Sequence, residues 1–176
     1  MYHPGTPQWP TQRTLCGVLY CCAQACRMLT GGLAMLCPNL IGNCRPAGPP
    51  VAVLAVHGTD DATIPYAGGP KFNSPIFVMY SEPGSNEVWA THNGCTGGVA
   101  ATNVSANYSY KGVQATGVAT HHVYGGCHAA APVEWYQTHG AGHVGTEALG
   151  GAPVVEVVVT FFEGVERALR AEASRH

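Results

Sequence analysis

The sequence predicts an α/β fold, a mostly parallel sheet flanked by helices. Three observations carry this. Residues 51–56, VAVLAV, are a continuous apolar run bounded by Pro49-Pro50 and by His57-Gly58, the pattern of a strand buried on both faces. Residues 118–126 and 131–140 read as further strands, each running into a glycine turn. Helical patterns fall among them, at 85–94 and from Pro153 onward. Strands alternating with helices imply a sheet with helical layers.

The elements follow in order. Residues 1–13 are rich in proline and polar groups and read as an unstructured lead-in. Residues 14–41 are largely apolar, interrupted by Arg27. One reading is a secretory signal, with an apolar run over 15–26 and Ala23-Gln24-Ala25 as the small-residue cleavage site. Against it, the start is long and carries a single Arg, while the Gly31-Gly32 break and further polar residues favour a buried or processed segment over a membrane span. Residues 43–50, NCRPAGPP, form a loop into the first strand. Ser85 is a plausible cap and Gly94 a stop for the helix at 85–94. In the last element Val157, Phe161, Val165 and Leu169 recur at helical spacing, while Val157-Val158-Val159 has strand propensity and blurs its start.

Charged residues make up only 10% of the 176, against roughly 25% in an ordinary soluble domain. Surface polarity must come from Thr, Asn, His and Gly. A net charge of −2 gives no basic footprint for nucleic acid. Six of the eight cysteines lie in the first 44 residues: Cys16, Cys21, Cys22, Cys26, Cys37 and Cys44. Their spacing matches no common zinc knuckle, and they read as small apolar residues of a buried segment. Cys95 and Cys127 stand apart. Two glycosylation sequons begin at Asn103 and Asn107. Cysteines and sequons together lean toward an oxidising, secreted setting.

Open α/β sheets place their sites at the carboxyl ends of strands. Two loops there carry acid–base residues, HGTDD at 57–61 and THGAGHVG at 138–145. The order Asp then His is the tail of the Ser…Asp…His order of α/β-hydrolases. In such a triad the Asp fixes the His tautomer and stabilises the imidazolium formed when the ring takes the serine proton.

At these residues the chain resembles the polyhydroxybutyrate depolymerase and feruloyl esterase group, carbohydrate esterase family one with its LpqC-like relatives. The group's pattern falls on His57, Gly58, Asp61, Ile64, Pro65, Tyr66, Gly68 and Gly69. Trp89, then Asn93-Gly94-Cys95, then Gly126-Cys127 and the GAGH loop follow in the family's order. The resemblance spans roughly residues 43–170. It implies that Asp61 is the catalytic acid, that His143 is its histidine, and that Cys95 and Cys127 form a disulfide. Read without it, the two cysteines are equally compatible with free, buried thiols. Two departures stand out. The chain lacks the family's Trp-Pro after the histidine, and none of its six serines lies in a Gly-x-Ser-x-Gly elbow. Cys95 is no substitute, since Asn93 stands where the elbow needs glycine.

The expected organisation is therefore a Cys-rich lead-in over 1–43, signal-like or disordered, and a partial α/β-hydrolase over 44–172. The N-terminal half of that fold is missing, and residues 173–176 form a tail. The expected function is that of a serine esterase which keeps Asp61 and His143, lacks the nucleophile and is inactive alone. An alternative is a non-catalytic binding or scaffold derivative, and a third class is a Cys/His metal module. The substrate class implied is an ester-linked polymer or a feruloylated polysaccharide, with no cofactor, metal, nucleic acid or membrane. Half a sheet would leave an edge open to association. Among competing residues, Asp60 reads as a solvated loop acid and His139 as the rival to His143. His121 and His122 read as structural, Trp89 and Trp135 as core, and His57 as a packed residue that shapes its loop.

Overall fold

A computed structural model describes residues 32–36, 46, 48–71, 74–143 and 145–175. The expected lead-in falls mostly outside these residues. Its described part, β1 (Gly32–Leu36), pairs parallel with β2 (Ala52–Gly58). A short hairpin follows, β3 (Gly69–Lys71) and β4 (Ser74–Met79), then helix α1 (Glu82–His92). Two long strands come next, β5 (Val99–Tyr110) and β6 (Val113–Tyr124), and then β7 (Val133–Thr138). β8 (Thr146–Leu149), β9 (Ala152–Pro153) and α2 (Val154–Ala173) complete the order.

The expectation of a mostly parallel sheet flanked by helices is corrected. The main sheet is mixed and curled, in the order β1-β2-β7-β6-β5-β8-β9, and only β1, β2 and β7 run parallel. The rest is antiparallel, and the described residues hold only two α-helices. The cause is the β5–β6 hairpin, whose twelve-residue strands pair along their whole length. A two-residue loop can join antiparallel strands, so no crossover helix is needed there. Lys111 and Gly112 form that loop with φ of 49° and 79°, the left-handed pair that matches the twist of a tight hairpin.

Side chains alternate along β2 and divide the core in two. Val53 packs with Val133 of β7 and with Trp89 and Ala90 of α1. Val56 packs with Ala106, Ala119, Leu149 and Val154, and Val157 and Val158 of α2 join them. The two helices thus cover different faces. The solvent face of the hairpin stays open, with Asn103, Ser105 and Asn107 exposed. Cys95 and Cys127 are joined by a disulfide, which ties the segment after α1 to the loop after β6. No helix among the described residues is long and apolar enough to cross a membrane.

Helix α1 begins at Glu82 rather than at residue 85, because Ser81 caps it by accepting from the Gly84 N–H at 3.1 Å. Pro83 lies in the first turn, where a missing N–H costs nothing. Asn93 closes the helix and is a hub. Its amide donates to the carbonyls of Val51 and Ala131 and its oxygen accepts from the Val51 N–H.

Candidate functional site

The parallel pairing of β2 with β7 brings the two carboxyl ends together, with Gly58 opposite Thr138. The loops beyond them are stitched at once. The Thr59 N–H donates to the Thr138 carbonyl and the Asp60 N–H to the Ala141 carbonyl, both at 3.0 Å. The approach is so close that a Cβ at Gly58 would overlap the Ala141 carbonyl, which explains the glycine at this strand end. The Thr59 hydroxyl accepts from the Gly140 N–H at 2.9 Å, so both loops hold one another.

Asp61 lies in this seam with its side chain fully buried. Its Oδ1 accepts the N–H groups of Thr63 at 2.7 Å and Ile64 at 2.8 Å, an Asx-type turn that fixes the carboxylate plane. Its Oδ2 faces His143 Nδ1 at 2.9 Å and His57 Nε2 at 3.3 Å. Burial alone would raise the carboxyl pKa. The Ile64 N–H, the hydrogen bond from His143 and the Thr63 N–H outweigh it, so Asp61 is held below the ordinary carboxylate value.

His143 sits on the loop after β7, and its side chain keeps 29% of its surface exposed. A carboxylate accepting from Nδ1 fixes the tautomer and leaves Nε2 as the basic nitrogen of the neutral ring. Asp61 and His143, singled out from sequence, are thus brought into contact. Cys95 and Cys127 lie elsewhere, bonded to each other.

His139, His121 and His122 are placed apart from this contact. His139 is exposed, with Nε2 at 2.9 Å from the Thr120 hydroxyl. His121 stacks on Tyr136 with ring centroids 4.1 Å apart and reaches Glu134 at 2.8 Å. His122 stacks on Trp135 at 4.3 Å, and burial lowers its pKa. Asp60 is exposed and takes the Thr59 hydroxyl, while Trp89 and Trp135 are buried. Among the described residues no group of three or more His, Cys, Asp or Glu side chains is placed to hold a metal ion.

Sequence reasoning missed Glu82. Its side chain is completely buried at the first position of α1, and Oε2 meets His57 Nδ1 at 2.8 Å. The Asn86 amide donates to Oε1 at 2.7 Å. His57 shares a face of β2 with Val53 and Ala55, the face α1 covers, so it meets the start of that helix. Tyr66 packs edge-on against the His57 ring at 5.3 Å, and burial pushes its phenol up to about 12. Asn86, Glu82, His57, Asp61 and His143 form one continuous chain of polar contacts, buried up to its partly exposed last ring. A separate groove of about 580 Å³ lies against α2, lined by Leu54, Glu134, Tyr136, Val157 and Phe161 among others, and touches none of these five.

No family model matches the chain, and no curated protein or solved structure does either.

Proposed function

We propose that Asp61 and His143 are the acid and base of a serine-esterase-type acyl-transfer site, acting on carboxylic esters of the polyhydroxybutyrate or feruloyl kind. The observation that carries this is the 2.9 Å contact between a buried, backbone-anchored carboxylate and Nδ1 of a partly exposed histidine. In such a site Nε2 takes the proton of an attacking hydroxyl as it adds to the ester carbonyl. It then returns the proton to the departing alkoxide. None of the six serines stands in a Gly-x-Ser-x-Gly elbow, so this chain alone delivers water rather than a serine to that nitrogen. The disulfide and the two exposed sequon asparagines support a secreted setting for it.

The missing elbow favours one second reading, a binding or scaffold derivative of an esterase that keeps the acid–base pair without turnover. Hydrolysis of a 4-nitrophenyl ester by the purified chain separates the two. Slow cleavage abolished by His143→Ala supports the acyl-transfer reading. A rate equal to buffer, unchanged by that substitution, leaves the binding reading. On either reading a serine-directed phosphonate leaves the protein unlabelled.

A further inference from the structure

We propose that His57 and Glu82 are a buried ion pair that positions Asp61, with His57 carrying both ring protons at neutral pH. The Ile64 carbonyl lies 2.8 Å from His57 Nε2 and can only accept, so Nε2 carries a proton. The contact between Nδ1 and Glu82 Oε2 at 2.8 Å needs one more proton, held either by the ring or by the carboxyl group.

Three features place that proton on the ring. Glu82 lies in the first turn of α1, where the helix end favours negative charge. Its second oxygen receives the Asn86 amide at 2.7 Å, a donor that a carboxylate accepts without competition. His57 meanwhile faces two carboxylates, Glu82 on one side and Asp61 at 3.3 Å on the other. The ionisable groups around the ring are Asp61 and Tyr66 from its own loop and Glu82 from α1, with His143 beyond Asp61. Burial alone would lower the imidazole pKa. The hydrogen bond and charge of Glu82, the Ile64 carbonyl and the charge of Asp61 raise it above the ordinary 6.5.

A buried imidazolium at 3.3 Å supplies Asp61 with a fixed counter-charge. It holds Oδ2 turned toward His143, beside the Ile64 and Thr63 N–H groups and His143 that keep the carboxylate ionised, and leaves that oxygen shared between two rings. His57 is then a positioning residue acting through Asp61. Its bearing on ester cleavage rests on the acyl-transfer reading above, whereas its charge does not.

The test is nitrogen-detected NMR of the histidine rings in the intact chain at pH 7, assigned by His57→Gln. The expected result is that both His57 nitrogens carry protons, and that His143 shows a protected Nδ1–H. In Glu82→Gln the His57 ring is expected to fall to the neutral form with its proton on Nε2, and the His143 Nδ1–H signal to be lost to solvent exchange. Asn86→Ala, which perturbs the same packing but keeps both charges, leaves His57 doubly protonated. A singly protonated His57 in the wild-type chain overturns the proposal. An unchanged His143 Nδ1–H in folded Glu82→Gln overturns the positioning role. If ester cleavage is absent while His57 is doubly protonated, the acyl-transfer reading fails and the ion pair stands.

Discussion

The Asp61 carboxylate and the His143 ring meet at 2.9 Å across 82 positions of sequence, because β2 and β7 are neighbours and both loops leave them at the same end. Replacing Asp61 by Asn keeps the oxygen that accepts from Thr63 and Ile64 and removes the charge that holds His143. The expected outcome is loss of His143-dependent ester cleavage to the buffer rate. Removing the anion from a fully buried site also lowers unfolding stability by about 1–3 kcal/mol. Urea titration and the 4-nitrophenyl ester assay on the same preparation check both.

Gly58 is the point where the two loops come closest. Gly58→Ala forces a Cβ into the Ala141 carbonyl, and neither backbone can yield without breaking the Asp60–Ala141 bond. We expect a loss of at least about 2 kcal/mol, the range of strain at a packed backbone. The His143 Nδ1–H signal should weaken even where the variant stays folded. Gly48→Ala, where a Cβ meets nothing within 4 Å but φ is +99°, serves as the comparison for backbone strain alone.

These elements were unequally legible in sequence. β2 announced itself as a fully buried apolar run and β7 as an alternating strand, each ending in a turn signal. The Asp61 and His143 loops followed from those strand ends, and the structure brings the two side chains together. The β5–β6 hairpin was legible only in part. Residues 118–126 of its second strand stood out. The first strand did not, although Asn103, Ser105 and Asn107 alternate with Val104, Ala106 and Tyr108, and the turn between the two strands is Lys111-Gly112 rather than an Asn-Gly pair. That hairpin is what turned an expected parallel sheet into a mixed one. Glu82 gave no signal at all. An acid followed by Pro83-Gly84 reads as a solvated turn, and nothing local says that a histidine 25 positions earlier waits to pair with it.

The disulfide offers a prediction free of the site. Cys95 and Cys127 are 32 positions apart, and closing a loop of that size restricts the unfolded chain by about 3–4 kcal/mol in the entropic account. The paired Cys95→Ala, Cys127→Ala variant should lose stability by that order in urea. Reductant should destabilise the wild-type chain by a similar amount and leave the variant unmoved. Equal sensitivity of both to reductant would place the relevant thiols elsewhere in the sequence.

The pH dependence of stability tests the buried chain through its signs. Asp61 is held below its ordinary value, so its contribution is complete above the unfolded pKa of about 3.9 and is lost as the pH falls through the folded value. His57 is held above its ordinary value, so its contribution is complete below about 6.5 and is lost as the pH rises through the folded value. Burial raises the Glu82 carboxyl, with His57 and Asn86 offsetting only part of it, and that shift also lowers stability as the pH rises. The wild-type urea midpoint is therefore expected to fall on the alkaline side of neutrality as well as in acid. Glu82→Gln removes the largest of the groups that raise His57 and leaves burial, the largest single effect and one that lowers it, opposed only by the Ile64 carbonyl and the Asp61 charge. The slope contributed by His57 then reverses, and between about pH 5 and 7 the variant should gain stability with rising pH. Urea midpoints of both proteins at matched ionic strength decide it. Parallel profiles across that window would mean that His57 is not charged through Glu82.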